Sequence, residues 1–101
     1  MVIDINLKRM RKSADQAVDL MKVLGNRDRM MLLCEINQGE RCVSELEELL
    51  EIHQPTLSQQ LTVLRKKKLV KTRREGKQIY YSASSPIAMS VMALLYQYYC
   101  K

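Results

Sequence analysis

Residues 54–68, QPTLSQQLTVLRKKK, combine regularly spaced leucines with polar side chains and a closing run of four cations. At about 100° per residue, Leu57, Leu61 and Leu64 fall on one narrow stripe of a helix, which predicts that this stripe packs against a core. The opposite face carries hydroxyl and amide groups and a cation: Ser58, Gln59, Thr62 and Lys66. Such a segment is either an ordinary amphipathic surface helix or a helix whose short side chains reach base edges while its cations meet phosphates.

The residues just before this helix favour the second interpretation. Ser44 and Glu47 have the S-x-x-E spacing of a capping box, which predicts the start of a short apolar-faced helix over residues 44–50. Only residues 51–53 separate it from the next helical stretch, where Pro55 suits the first turn. Two helices joined by a turn of three or four residues have the spacing of a helix-turn-helix.

Two further helices are predicted ahead of this pair. The first runs from about Asn6 to Leu24, and apolar residues at steps of three and four predict that it buries one face: Leu7, Met10, Ala14, Ala17, Met21 and Leu24. Gly25-Asn26 interrupts the pattern, and Asp28 is the predicted cap of a second helix that ends at Gly39.

The chain changes to a strand-like pattern after the cations. Residues 69–82 alternate with a period near two around a turn at residues 74–77, and Gly76 provides the glycine that a tight hairpin needs. A cation-rich hairpin beside a helix-turn-helix is either a DNA-contacting wing or a solvated surface hairpin. Ser85-Pro86 then predicts the start of a last helix over residues 87–100, which is apolar on more than one side. Such a helix needs a second partner beyond its own core, and the simplest is the first helix or the same helix of a second subunit in an isologous homodimer.

Composition limits the classes of function that fit. A chain of 101 residues is expected to form one domain, 1–101, and 17 Lys and Arg against 11 Asp and Glu give a net charge of +6, which favours a polyanionic partner such as nucleic acid. A membrane surface is the other polyanion, but no apolar run predicts a signal peptide or a spanning helix, so a cytoplasmic protein is expected. The single histidine, His53, has no nucleophile or carboxylate pair at a recognisable spacing, so we expect no enzyme.

Residues 43–82, VSELEELLEIHQPTLSQQLTVLRKKKLVKTRREGKQIYYS, resemble the helix-turn-helix and wing of the ArsR/SmtB family of bacterial repressors, and the similarity extends along nearly the whole chain. The resemblance implies a mainly α winged helix-turn-helix with a small β-hairpin, acting as a homodimer on double-stranded, pseudo-palindromic operator DNA. It implies DNA contacts from the recognition helix and from the wing: Gln54, Thr56, Ser58, Gln59, Gln60, Thr62, Arg65 and Lys66, with Arg73, Arg74 and Lys77 in the wing. Many relatives have histidine at the position of Gln60. A non-specific architectural DNA-binding protein is the alternative that the basic charge alone permits.

Many members of that family hold a metal with a Cys-x-Cys pair at the start of the third helix. Here the corresponding residues are Cys42-Val43-Ser44, and one thiolate with no histidine nearby is a poor basis for a tetrahedral zinc site. We therefore expect no metal and no cofactor. A metal-responsive repressor remains an alternative, with all three cysteines as its ligands.

Cys34, in MMLLCEIN, and Cys100, after LLYQYY, resemble the cysteine pair of the family branch that senses sulfide, persulfides or oxidants, the BigR-, SqrR- and HlyU-like repressors. The resemblance implies a dithiol switch in which a persulfide, polysulfide or oxidant bridges the two sulfurs and changes operator binding. Alternatively, Cys34 is a small buried apolar residue and Cys100 a frayed end, in a regulator that is insensitive to redox state. The sign of the switch and the role of Cys42 are open at this point.

Overall fold

Five helices and a three-stranded antiparallel sheet make up residues 6–100, the part of the chain that this computed structural model describes. Residues 1–5 and 101, which the single-domain prediction includes, lie outside the described part. In chain order the elements are α1 (Leu7–Leu24), α2 (Arg27–Gln38), β1 (Arg41–Cys42), α3 (Val43–Leu50), α4 (Thr56–Lys66), β2 (Val70–Glu75), β3 (Gln78–Ala83) and α5 (Pro86–Tyr99). The predicted winged helix-turn-helix is confirmed: α3 and α4 form the helix-turn-helix, and β2 and β3 form the wing.

The core forms around α2 and α4. Leu57, Leu61 and Leu64 are almost completely buried, as their spacing predicts, and they join Leu32 and Leu33 of α2 in one apolar cluster. Full burial of each leucine contributes on the order of 2 kcal/mol. The recognition helix is therefore held by its buried stripe, and its opposite face stays at the surface.

Two helices begin at other caps than predicted. The cap of α2 is Asn26, whose side-chain oxygen accepts from the Arg29 backbone N–H at 3.0 Å, whereas the predicted cap Asp28 lies within the first turn. Helix α3 begins at Val43, and Glu45 accepts from the Cys42 N–H at 3.0 Å. The predicted capping box of Ser44 and Glu47 is therefore wrong by two residues, because the extended residue that ends β1 also serves as the cap.

The sheet has one strand more than the predicted hairpin. Strands β2 and β3 pair from Val70 with Ala83 to Glu75 with Gln78, which leaves a two-residue loop in which Gly76 has φ +60°. That positive φ suits glycine, as the turn prediction required. The short strand β1 pairs with β3, so the sheet order is β1-β3-β2.

Helices α1 and α5 keep large apolar surfaces outside the core. Within one chain the predicted buried face of α1 is covered only at its end: Leu24 is buried as predicted, whereas Leu7, Met10 and Met21 are 56%, 45% and 60% exposed. Helix α5 starts as predicted, with the Ser85 hydroxyl accepting from the Ala88 N–H at 3.2 Å. It also exposes large apolar and aromatic side chains: Ile87, Met89, Leu94, Tyr96, Tyr98 and Tyr99. The exposed apolar side chains of α1 and α5 therefore remain available to a partner.

Candidate nucleic-acid interface and cysteine pair

The outer face of α4 presents short polar groups followed by cations. The exposed predicted contacts of this helix and of the turn before it are Gln54, Ser58, Gln59, Thr62, Arg65 and Lys66, and Thr56 is half-buried. The Gln54 side-chain oxygen accepts from the Ser58 N–H at 3.0 Å, so it caps the first turn of the helix. The Thr62 hydroxyl donates to the Ser58 carbonyl at 2.8 Å, while no intramolecular side-chain bond of Gln59 is found within residues 6–100. Gln59 is therefore free to donate to, and accept from, a base edge.

The turn between α3 and α4 sets the position of this face. Glu51 ends α3 in the left-handed region, with φ 55°, and Ile52 is buried in the core cluster. The His53 carbonyl accepts from the Leu57 N–H at 3.0 Å, while the His53 side chain is exposed. Ile52 thus anchors the turn in the core, and the adjacent His53 side chain faces solvent.

Gln60 differs from its neighbours on α4. It is half-buried, and its side-chain oxygen accepts from Nη1 of Arg29 on α2 at 2.8 Å. The resemblance implies that Gln60 is a DNA contact, at a position where many relatives have histidine. In the structure Arg29 occupies one of the two lone pairs of the amide oxygen, so the NH₂ group is the part of this amide that has no such bond within residues 6–100.

Arg73 in the wing is held by two carboxylates. Its Nε and Nη2 atoms donate to Glu40 at 2.8 and 2.7 Å, and Nη1 donates to Glu75 at 2.6 Å. The guanidinium also lies 4.6 Å from the centre of the Tyr80 ring. The hydrogen bond from Arg73 lowers the pKa of Glu40, and the bonds to Glu40 and Glu75 raise the pKa of Arg73. Arg73 therefore forms part of an exposed intramolecular ion-pair network on β2.

Arg74 and Lys77 lie at the tip of the wing. Arg74 makes one contact, from Nε to the Gly76 carbonyl at 3.2 Å, and both cations are exposed. Among the described residues neither has a carboxylate partner. Of the three predicted wing cations, these two are the ones whose charge is uncompensated and available to phosphates.

Cys34 and Cys100 are both free thiols on neighbouring elements. Cys34 is half-buried on α2, which packs against α5, and Cys100 is exposed at the end of α5. Burial raises the pKa of the Cys34 thiol, and negative charge on Cys100 and then Glu35 raises it further. A cavity of about 380 Å³ adjoins Cys34 between the two helices. It is lined by Cys34, Asn37, Gln38, Met89, Met92, Ala93 and Tyr96.

Cys42 has a different environment from the other two cysteines. It is 5% exposed at the end of β1, and its sulfur lies 3.2 Å from the Ser44 hydroxyl. The role of Cys42 was left open by the sequence, and its burial favours a packing role over that of an exposed reactive thiol.

Residues 26–72, from the cap of α2 into β2, match the model of the bacterial regulatory proteins of the arsR family. The chain is also 46% identical over 97 residues to the biofilm growth-associated repressor of Agrobacterium fabrum, a match that covers 96% of this chain and 83% of that protein. The chain belongs to the arsR family.

Solved structures of similar proteins agree with this assignment. Reduced HlyU from Vibrio cholerae superposes with a TM-score of 0.90 at 38% identity, over 94% of this chain and 100% of that chain. A homodimeric winged helix-turn-helix DNA-binding domain, Mb0332 from Mycobacterium bovis, superposes with a TM-score of 0.75 at 29% identity, over 92% and 86% of the two chains. Both matches extend over the α1-to-α5 order described above.

The match to the arsR family model does not extend to both cysteines. Cys34 lies inside residues 26–72, while Cys100 lies beyond them.

Between residues 6 and 100 no group of three or more His, Cys, Asp or Glu side chains is placed to hold a metal ion. None of the helices in the same range combines the length and the apolarity that a bilayer-spanning segment needs.

Three residues of the site have no counterpart in the sequence-based predictions. Arg29, Glu40 and Tyr80 hold Gln60 or Arg73 through contacts on other elements. The Arg29–Gln60 and Glu40–Arg73 pairs join residues that are 31 and 33 positions apart, and no local period marks such pairs. Their only sequence signal is a charged residue next to a helix terminus, which is common on any surface.

Proposed function

We propose that this arsR-family protein is a homodimeric transcriptional repressor that binds a pseudo-palindromic operator and is switched by the Cys34–Cys100 dithiol. The observation that carries the DNA-binding part is the exposed polar face of α4, with Gln59 unengaged, above a fully buried leucine stripe. A rigid helix with free donors and acceptors is the arrangement that reads base edges in the major groove.

Recognition of a pseudo-palindromic operator needs two copies of the chain. A dimeric reader places its recognition helices about 34 Å apart, one turn of B-DNA. The exposed apolar faces of α1 and α5 are the surfaces that a second copy would cover, since contiguous apolar area of this kind marks an interaction site. The homodimeric relative Mb0332, which shares the fold, supports the same assembly.

The dithiol part of the proposal rests on the placement of the two thiols. Cys34 lies on α2 and Cys100 directly follows α5, and the packing of these two helices against each other supports a contact between the two thiols. A bridge requires Cα atoms within about 7 Å, or slightly more if extra sulfur atoms span the gap. The third thiol, Cys42, is buried in the sheet and has no part in this proposal.

The Cys34–Cys100 bridge can form with a persulfide or an oxidant as the reagent, and neither route needs a cofactor. One cysteine thiolate attacks the outer sulfur of R–S–SH, the S–S bond of the reagent breaks, and R–S⁻ leaves with its electron pair. The second cysteine then attacks the new cysteine persulfide at the sulfur attached to the protein, which forms the Cys34–Cys100 disulfide and releases HS⁻. An oxidant reaches the same bridge through a sulfenic acid and the loss of water.

The bridge can act on DNA binding through α2. Helix α2 packs against both α4 and α5, so fixing α2 to the end of α5 constrains the element that supports the recognition helix. A small rotation of α4 changes the distance between the two recognition helices of the dimer. We infer that the reduced dimer fits the operator and the bridged dimer releases it.

The test compares operator affinity before and after persulfide treatment in the wild type and in Cys34→Ser, Cys100→Ser and Cys42→Ser. Duplexes selected from a random pool by the reduced wild type serve as the operator, and mass spectrometry records the linked peptides. We expect Cys34→Ser and Cys100→Ser to bind DNA but to ignore persulfide, and Cys42→Ser, the matched control, to behave as wild type. Release of DNA by treated Cys34→Ser would contradict the switch and leave the DNA-binding function intact.

A further inference from the structure

Arg29 joins the end of α1 to the recognition helix. Its Nε donates to the Val23 carbonyl at 2.7 Å and Nη2 to the Lys22 carbonyl at 3.2 Å, while Nη1 donates to the Gln60 side-chain oxygen at 2.8 Å. The backbone N–H of Arg29 is itself fixed by the Asn26 cap at 3.0 Å. One guanidinium therefore contacts three acceptors on two helices other than its own.

The contacts at α1 fix the guanidinium for a physical reason. Carbonyls in the last turn of a helix lack partners within the helix, and a cation there also interacts favourably with the helix dipole. The planar donor fork of arginine can satisfy such carbonyls and still direct a further N–H elsewhere. Here that further N–H is directed at Gln60.

The contact at α4 restricts what Gln60 can recognise. A guanidinium only donates, so the Gln60 atom facing Arg29 must be the amide oxygen. A glutamine that reads adenine in the major groove uses its oxygen and its nitrogen together, accepting from N6 and donating to N7. Arg29 occupies one of the two lone pairs of this oxygen and fixes the direction in which it points, which favours Gln60 as a donor from its NH₂ group to acceptors such as guanine O6 and N7 or a phosphate oxygen.

We propose that Arg29 is a positioning residue for DNA recognition, which ties α4 to the end of α1 and holds the Gln60 amide in an orientation that favours donation from its NH₂ group. The inference rests on the proposed operator binding and adds a determinant of base preference to it. Because α1 presents one of the two apolar surfaces assigned to the dimer, the same contact also relates the recognition helix to the partner subunit.

Two variants separate positioning from simple stabilisation. Arg29→Lys removes the fork, since one ammonium cannot serve both α1 and Gln60. Gln60→Glu keeps an acceptor for Arg29 but removes the N–H donors, so the packing of α4 is preserved while its chemistry changes. Gln59→Glu on the same helix is the matched control for added negative charge.

The experiment selects duplexes from a randomised DNA pool with each dimer and measures affinity for the wild-type sequence and for random duplex at one salt concentration. We expect Arg29→Lys to retain random-duplex affinity within about twofold and to lose about tenfold of the specific-to-random ratio. The duplexes selected by Gln60→Glu should lose base preference at one symmetric pair of positions in the DNA. The Gln59→Glu variant should change base preference at a different pair of positions.

The outcomes distinguish this inference from the function on which it rests. If the wild type enriches a sequence, and Arg29→Lys and Gln60→Glu enrich the same sequence with the same ratio, Arg29 has no positioning role. If the wild type itself enriches no sequence, the proposed operator binding fails, and this inference fails with it. A lower thermal stability of Arg29→Lys with an unchanged selected sequence would also overturn the inference, because it indicates stabilisation alone.

Discussion

Arg73 of the wing and Glu40, the second residue after α2, form a two-point ion pair with N–O distances of 2.8 and 2.7 Å. Bidentate pairs of this geometry are the most directional that arginine makes. The wing is thereby tied to the end of the helix that carries Cys34. The same pairing gives an intramolecular partner to one of the cations that the family resemblance assigns to DNA binding.

Glu40→Gln tests whether this pair withholds Arg73 from phosphates. Loss of the Glu40 charge frees Nε and Nη2 of Arg73, while Nη1 keeps its bond to Glu75, and should strengthen binding to all duplexes alike and increase the magnitude of the salt-dependence slope by at most about one phosphate contact. Titration of random duplex at several salt concentrations measures both quantities. Glu48→Gln, an exposed carboxylate on α3, gives the same change of net charge as a control. Equal effects of the two variants would attribute the change to total charge.

Gln59 and Arg74 should have opposite signatures in DNA binding. Gln59→Ala should cost about 1–3 kcal/mol on the selected operator and relax base preference, since it removes a free amide from the recognition face. Arg74→Ala should weaken every duplex and flatten the salt dependence, since it removes an uncompensated cation. Affinities for operator and random duplex at fixed salt separate the two effects. A Gln59→Ala variant that keeps the wild-type ratio of the two affinities would show that the assignment of Gln59 to the recognition face is wrong.

The two switch cysteines should react with an alkylating reagent in a defined order. Cys100 is exposed, whereas burial first and the charge of Cys100 second raise the pKa of Cys34 above its ordinary value of 9.0. Less Cys34 is therefore thiolate at neutral pH than in an unperturbed thiol, and its reactivity should keep rising with pH beyond the usual thiol range. Iodoacetamide labelling followed by peptide mass spectrometry measures each rate, with Cys100→Ser as a check on the charge effect. Faster labelling of Cys34 than of Cys100 at pH 7 would contradict this order.

The apolar faces of α1 and α5 predict where a charge disrupts the dimer. Met21→Glu and Leu94→Glu place a carboxylate on these exposed faces and should raise the dimer Kd by about tenfold or more. Ile79→Glu, at an exposed position of the wing, is the matched control and should leave the dimer intact. Analytical ultracentrifugation over a concentration series gives the Kd of each. A monomeric wild type would remove the basis for a palindromic operator.

Periodicity predicted the parts of the fold that depend on residues close in sequence. The Leu57–Leu64 stripe, the wing turn at Gly76 and the start of α5 all follow from local spacing and are as predicted. The apolar face of α1 is covered only at Leu24 within one chain, and periodicity shows that a face is apolar but not which chain covers it. The caps shifted by two residues because Asn26 and Asp28 are both acceptable cap types, and only tertiary structure selects one.

The candidate site was predictable only in part, for a similar reason. The exposed side chains of α4 follow from the helical wheel, but the internal bonds of Gln60 and Arg73 depend on Arg29 and Glu40, more than thirty residues away in each case. Exposure of a charged or polar residue can be inferred from a helix or strand pattern. Its engagement by a partner on a distant element cannot.

The chain order of Cys34 and Cys100 has a consequence for the fate of the bridged form. Helices α3 and α4 and the wing all lie between these two residues, so a bond between them would enclose the DNA-reading half of the molecule in one covalent loop. A loop of this length restricts the unfolded chain enough to contribute about 4 kcal/mol of stability. The form released from DNA would then resist unfolding and proteolysis better than the bound one. The bridged protein would therefore persist after it leaves the operator, and reduction of the disulfide would restore operator binding without new protein synthesis.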